Sequence, residues 1–522
     1  MLFRNFATVG GATLLSRLLG FLRDVMLAAF VGAGPVADAF VVAFRLPNLF
    51  RRLFAEGAFN SAFVPLFARS LEEKGEEGAR QFAGEIAAAL FWTLVVVTAL
   101  AEIAMPLLVY VLAPGYFSDP AKYDLTVLMA RVAFPYLLFM SLLAFISGIL
   151  NTFQRFAAAA MAPVMLNVVM GLVLAGIGLA GLEPDATTGV ILVAGVAVAG
   201  VVQLAFVAVD LKRLGFKIPL FRPRWTPGVK RLLALGLPGV LAGGITQINI
   251  TVGTIIASMQ ESANSFLYYA DRVYQLPLGV VGIAIGVVLL PSLTRSLRSG
   301  QDEEVLRIQN RSMEFALALT LPAAVALVLI PREVISVLFE RGAFGPEAVD
   351  QTAWALMAFA VGLPAFVLNK VLSPGYFSRE DTKTPMYFAG VAMVINVGLA
   401  LALFPFMAHV GIAVATSVAG WVNTALLGLL LYKRGHFKLD AAAVRRVPLL
   451  LLASVLMGGV VLGLSTYVPG ATSPQFLVRA GHLALLVTAG MISFGVFAQV
   501  TGAVNFLGYA KRFAGRKTSG TS

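Results

Sequence analysis

The sequence predicts an all-α, polytopic membrane protein of about fourteen transmembrane helices, arranged as two six-helix lobes plus two C-terminal helices. Three observations point there. Hydrophobic residues make up 59% of the 522-residue chain and charged residues only 13%, against roughly 25% charge in soluble domains; mean hydropathy is +0.87. Stretches such as 86–100, 164–182 and 449–464 hold no charge over much of the roughly 20 residues that a bilayer span needs. The basic residues gather in alternate short connections.

Taken in order, spans are expected at 6–31, 35–67, 82–113, 122–153, 158–181, 187–211, 228–257, 264–295, 308–339, 347–377, 384–405, 409–432, 445–467 and 475–510. The first is not read as a cleavable signal, because Arg17, Arg23 and Asp24 interrupt it and no short apolar region leads to a cleavage site. With the N-terminus inside, cytoplasmic connections hold Arg69, Lys74 and Arg80, then Arg155, then the basic run Lys212 to Arg231. Arg295 to Arg311, Arg379 and Lys383, Lys433 to Arg446 and the tail from Lys511 to Lys517 continue the pattern. The opposite connections offer only Lys122, Arg332, Arg341 and Arg479 near their edges. This bias predicts an even number of spans with both termini cytoplasmic. It also accounts for the net charge of +12 without a nucleic-acid partner. The absence of cysteine rules out disulfides and thiol chemistry.

The two halves echo each other at an offset of about 226 residues. Ala37-Asp38-Ala39-Phe40 matches Ala263-Asn264-Ser265-Phe266, Leu46-Pro47 matches Leu276-Pro277, and Arg69-Ser70 matches Arg295-Ser296. Phe153-Gln154-Arg155 and Met165-Leu166-Asn167 recur as Phe377-Ser378-Arg379 and Val394-Ile395-Asn396. Six spans per copy keep both copies in one orientation, a parallel repeat of the transporter kind. The division reads 1–211 as an N-lobe, 212–227 as a basic linker, 228–433 as a C-lobe and 434–522 as the last two spans and tail.

Charge at membrane depth costs roughly 2.5–3.5 kcal/mol per residue on insertion scales, so its survival needs a reason. The first span holds Ser16, Arg17, Arg23 and Asp24; the second holds Asp38, Arg45, Arg51, Arg52 and Glu56. The eighth holds Tyr268, Asp271, Arg272 and Gln275, and the tenth Lys370. The plainer account pairs Arg45 with Asp38, Arg52 with Glu56 and Arg272 with Asp271, and lets Arg23 and Asp24 snorkel. On the first, second and eighth spans, however, six arginines face four acids. A water-filled cavity with surplus guanidinium suits an anion, and a diphosphate best, because arginine donates two parallel hydrogen bonds to phosphate. The C-lobe offers Asn249, Asn264, Asn396 and Thr416, groups that bridge helices or form at most a weak cation site.

No phosphate-binding loop, zinc motif, clustered Cys/His or hydrolytic triad pattern is present; His409, His436 and His482 are scattered. A transporter is therefore expected rather than an enzyme. A membrane glycosyltransferase would carry acidic or histidine clusters on sizeable loops, and the loops here are short.

Ser16-Arg17-Leu18-Leu19-Gly20-Phe21-Leu22-Arg23-Asp24, Ala37-Asp38-Ala39-Phe40 and the run Arg45 to Phe59, RLPNLFRRLFAEGAF, together resemble the MurJ (MviN) lipid II flippases. That family belongs to the multidrug/oligosaccharidyl-lipid/polysaccharide exporter superfamily. The likeness covers essentially the whole chain. It implies movement of an undecaprenyl-diphosphate-linked peptidoglycan precursor across the bacterial inner membrane by alternating access, with the headgroup in a cationic cavity between the lobes. It implies that Arg17, Arg23, Arg51 and Arg272 match the family's essential arginines, that Asp24 and Asp38 line the same cavity, and that the last two spans form a groove for the lipid tail. Partners implied are lipid II, membrane lipids and cell-wall synthesis proteins. No cofactor is expected; a sodium ion, a proton or the membrane potential is the implied drive, although where some relatives carry a sodium-binding acid this chain has Asn396, Ala400 and Thr416. The alternative is a polysaccharide-lipid or drug exporter of the same superfamily.

Overall fold

The structure is a computed structural model that describes residues 2–52, 59–219 and 222–504. Among the described residues every regular element is helical: α1 (Leu2–Val31), α2 (Pro35–Arg51), α3 (Phe59–Leu112), a short 3-10 helix (Pro114–Ser118), α4 (Pro120–Ala133), α5 (Tyr136–Thr152), α6 (Ala157–Leu179) and α7 (Ala186–Leu214). After these come α8 (Pro227–Ala257), α9 (Ala263–Arg298), α10 (Asp302–Leu329), α11 (Pro331–Phe339), α12 (Pro346–Phe377), α13 (Lys383–Lys433), α14 (Ala441–Tyr467) and α15 (Phe476–Val500). Nine helices among the described residues are long and apolar enough to cross a bilayer. The chain is a multi-pass membrane protein.

Several expected spans differ in detail for backbone reasons. The span expected at 122–153 turns at Phe134-Pro135 between α4 and α5, and the one at 308–339 turns before Pro331 between α10 and α11, where proline withholds a helix donor. The spans expected at 384–405 and 409–432 run together as α13, broken at Ala408, whose φ of 51° and ψ of −138° are not helical. In α3 the break falls at Gly75, φ 68°, a left-handed angle that suits glycine.

Contacts group the chain into two compact units, Met1–Ser265 with Arg341–Gly345, and Phe266–Glu340 with Pro346–Ser522. In the first, α1 packs on α6, α6 on α7, α2 on α4, and α3 on α5 and α8. Phe63, Phe67 and Phe145 are buried at one end of it, with the Phe63 and Phe145 rings 5.0 Å apart. In the second, α12 packs on α10 and α13, and α14 on α10 and α15, around a core that includes Leu293, Val367, Leu427, Leu431 and Ala453.

Candidate functional site

The charges of α1 are held by a neighbouring helix. Arg23 donates from Nε (3.1 Å) and Nη2 (2.8 Å) to Asp24 Oδ1, and from Nη1 to Asn167 Oδ1 on α6 at 3.0 Å. The amide nitrogen of Asn167 donates to the Ser16 carbonyl at 2.8 Å and to Ser16 Oγ at 3.3 Å. One α6 amide thus spans both ends of the polar stretch of α1. The helices come close there, since a Cβ on Gly20 would stand 3.4 Å from Asn167 Nδ2. Asp24 is buried, Arg23 half-buried, and Arg17 exposed. Among the described residues Arg17 makes no hydrogen bond or ion pair.

Asp38 belongs to a different constellation. It is fully buried, in the first turn of α2. Lys122 Nζ, in the first turn of α4, donates to its Oδ2 at 2.7 Å. The Ser265 backbone N–H and hydroxyl donate to Oδ1 at 2.9 and 2.6 Å. The carboxylate therefore lies at the N-termini of α2 and α9, where a negative charge is favoured. Lys122 also stands 4.1 Å from the Tyr116 ring centroid, and Tyr116 Oη accepts from Asn264 Nδ2 at 3.0 Å. The expected partnership of Asp38 with Arg45 is corrected: both oxygens are taken by Lys122 and Ser265.

On α2, Arg51 Nε donates to Asn48 Oδ1 at 3.1 Å, Arg45 is half-buried and Arg52 exposed. Glu56 lies outside the described residues, as does the side chain of Asn249. In the second unit the Arg272 guanidinium stacks 4.6 Å over the Tyr268 ring, and Gln275 Nε2 donates to Asp271 Oδ2. Lys370 is exposed on α12. Asn396 is buried on α13, and Thr416 Oγ1 donates to the Ile412 carbonyl of its own helix at 2.9 Å. No group of three or more His, Asp or Glu side chains among the described residues stands at metal-binding geometry. An open cleft of about 550 Å³ at the C-terminal end of α9, lined by Leu290, Pro291, Thr294, Arg295, Arg298 and Ser299, includes none of the expected site residues.

Sequence reasoning therefore missed Lys122, which reads as a loop-edge cation, and Asn167, which reads only as an echo within the repeat. The signal for Lys122 was its place as a basic residue on the side of the membrane where such residues are scarce. Asn167 had the weaker signal of an amide in an apolar span.

A family model described as lipid II flippase MurJ matches residues 27–483. The chain belongs to the MurJ family. A probable lipid II flippase MurJ of Rhizobium tropici is 50% identical over 519 residues, covering 99% of this chain and 97% of its own. The lipid II flippase MurJ of Burkholderia cenocepacia is 34% identical over 465 residues, covering 88% and 89%. Among solved structures, a MurJ lipid II flippase in an inward closed conformation matches with TM-score 0.78 at 23% identity, over 94% of this chain and 98% of its own. A multidrug resistance MATE family transporter in an inward-facing conformation matches with TM-score 0.66 at 15% identity, over 80% and 94%. These two likenesses establish the fold, that of the MurJ and MATE transporters.

Proposed function

We infer that this chain is a lipid II flippase, a transporter rather than an enzyme, and that it works by alternating access. The observation that supports this most directly, beside family membership, is the charge balance of the first unit. Lys122 neutralises Asp38, so Asp38 no longer offsets the arginines of α1 and α2. Besides Asp38, Asp24 is the one described acid on those helices, which carry Arg17, Arg23, Arg45 and Arg51. Such a surplus in apolar helices is costly without an anion. A diphosphate satisfies it, with Arg17, Arg23 and Arg51 as donors. Arg272 on α9 is the further cation, and the polyprenyl tail stays in lipid.

Counting α13 twice and adding α1, α2, α8 and α9 brings the nine apolar helices to fourteen spans. We read these as two six-helix lobes, 1–211 and 228–433, joined by the basic linker 212–227, with the last two spans and tail in 434–522. The chain is placed in the bacterial inner membrane with both termini cytoplasmic; proteins of cell-wall synthesis are candidate associates. The drive is a coupling ion or the membrane potential. The test is growth of cells depleted of their own flippase and given this chain. Arg17→Ala and Arg272→Ala should each insert normally and fail to support growth; full growth with both would overturn the assignment of these sites.

A further inference from the structure

The internal repeat sets an arginine at one position of both copies, and the two copies use it differently. Arg69-Ser70 of the first corresponds to Arg295-Ser296 of the second. Arg69 donates to Glu73, one turn on, at 2.7 Å. The residue one turn after Arg295 is Ser299, and neither Arg295 nor Arg298 makes a side-chain hydrogen bond or ion pair among the described residues. Capping does not occupy them either, because the last carbonyls of α9 are taken by its own end. The Ser299 N–H (3.1 Å) and hydroxyl (3.0 Å) donate to the Arg295 carbonyl, the Gly300 N–H to that of Leu297 at 3.0 Å, and the Gln301 N–H to that of Ser296 at 3.0 Å. Of the acids that open α10, Asp302 acts on Arg379 and His436, Glu304 binds Arg307 at 2.6 Å, and Glu303 is exposed.

Both guanidinium groups instead border the open cleft of about 550 Å³, whose apolar lining is Leu290 and Pro291. Its depth suits a headgroup. From Ala263, the first residue of α9, to Arg295 is 32 residues, about 48 Å at 1.5 Å per residue. A bilayer with its headgroups is about 40–45 Å thick, and a helix tilt of about 20° brings 48 Å to about 45 Å. With the α8–α9 connection outside, Arg295 lies in the cytoplasmic headgroup layer. Arg298 stands about one turn further toward water, and Leu290 about 7.5 Å deeper, at the level of the first methylenes.

We propose, resting on the flippase reading, that this cleft is an entry site for the diphosphate of a polyprenyl-diphosphate lipid in the cytoplasmic leaflet, occupied before the lipid reaches the arginines of α1 and α2. Residues three apart on a helix have Cβ atoms about 5–6 Å apart, so Arg295 and Arg298 each take one of two adjoining phosphoryl groups through paired hydrogen bonds. Their two positive charges match the two negative charges of a diphosphate diester. Leu290 and Pro291 receive the start of the prenyl chain, and the open side leaves the rest of the headgroup in water. A phosphatidylglycerol headgroup, with one negative charge, leaves one arginine unmatched.

Native mass spectrometry of the full chain in detergent tests this, with undecaprenyl diphosphate and phosphatidylglycerol added in turn. The background carries Arg17→Ala and Arg272→Ala, which remove donors assigned to the diphosphate elsewhere, and it should still retain undecaprenyl diphosphate. Adding Arg295→Gln and Arg298→Gln should lower that retention about 25-fold, roughly fivefold for each arginine at a leaflet surface. Arg295→Lys with Arg298→Lys should restore part of it, and Arg69→Gln, at the equivalent position of the first copy, should change nothing. No retention in the background, or undiminished retention in the glutamine variant, overturns the proposal. So does an equal loss in Arg69→Gln, or phosphatidylglycerol held as well as undecaprenyl diphosphate. Because the readout is binding, it is separate from transport: a chain that holds the probe through Arg295 and Arg298 yet fails to support growth keeps the site and defeats the flippase reading alone.

Discussion

Replacing Lys122 by Met keeps most of the side-chain volume and removes the ammonium that faces Asp38. In the wild type that ammonium sits 2.7 Å from Asp38 Oδ2, with side-chain exposures of 6% for Lys122 and 0% for Asp38. Water therefore cannot replace it. The Ser265 N–H and hydroxyl, both on Oδ1, cannot swing to Oδ2 without leaving Oδ1 bare. Removing one partner of a buried pair costs about 3–5 kcal/mol, because the other charge stays buried and uncompensated. The cation–π contact with Tyr116 at 4.1 Å adds about 0.5–2 kcal/mol. Reversible unfolding in mixed micelles should thus show Lys122→Met less stable by about 3.5–7 kcal/mol. Asp38→Asn with Lys122→Met removes both charges and keeps an acceptor for Ser265, so the double variant should be more stable than Lys122→Met alone. A Lys122→Met protein within about 0.5 kcal/mol of wild type, the range of ordinary surface changes, would show that the ammonium is not what compensates Asp38. Strict additivity of the two substitutions would do so as well.

Three further outcomes are expected. Asn167→Ala removes the amide that holds Arg23 and Ser16 together; it should destabilise by about 1–3 kcal/mol and lower transport, with Asn167→Asp restoring part through its contact with Arg23, as read by unfolding and by complementation. Ala408→Gly relieves a left-handed alanine at φ 51° and should raise stability by up to about 1–3 kcal/mol, seen as a higher unfolding midpoint. Asp381, in the connection before α13, accepts from the Thr384 N–H, Arg434 and the Thr384 hydroxyl, which hold its carboxyl at about 2. That lies below the unfolded value of about 3.9, so its contribution is present above pH 4 and lost as pH falls through about 2; Asp381→Asn should flatten that acid limb in a pH series of melting temperatures.

Much of the fold is legible from one dimension because lipid makes span length and charge distribution strict. The span expected at 158–181 is α6, Ala157–Leu179, and the one at 347–377 is α12, Pro346–Phe377. The backbone breaks are less legible. Proline marks the turns at Pro135 and Pro331, but nothing in the residue type of Ala408 announces a non-helical angle. The candidate site is legible as a set of residues and not as a set of partners. Periodicity along α2 places Asp38 and Arg45 on one stripe, yet the partner of Asp38 is 84 residues away on α4. Helix packing, not spacing along one helix, decides which charges meet.

Under the proposed function, surplus guanidinium on α1 and α2 carries a diphosphate-linked lipid across the membrane. The most direct measurement is the rate at which labelled lipid II becomes open to an externally added diphosphate-cleaving enzyme, in cells whose sole flippase is this chain. The wild type should expose lipid II steadily, while Arg17→Ala and Arg23→Ala, inserted at normal levels, should fall to the rate of depleted cells. Wild-type rates in both variants would mean that these arginines do not carry the diphosphate.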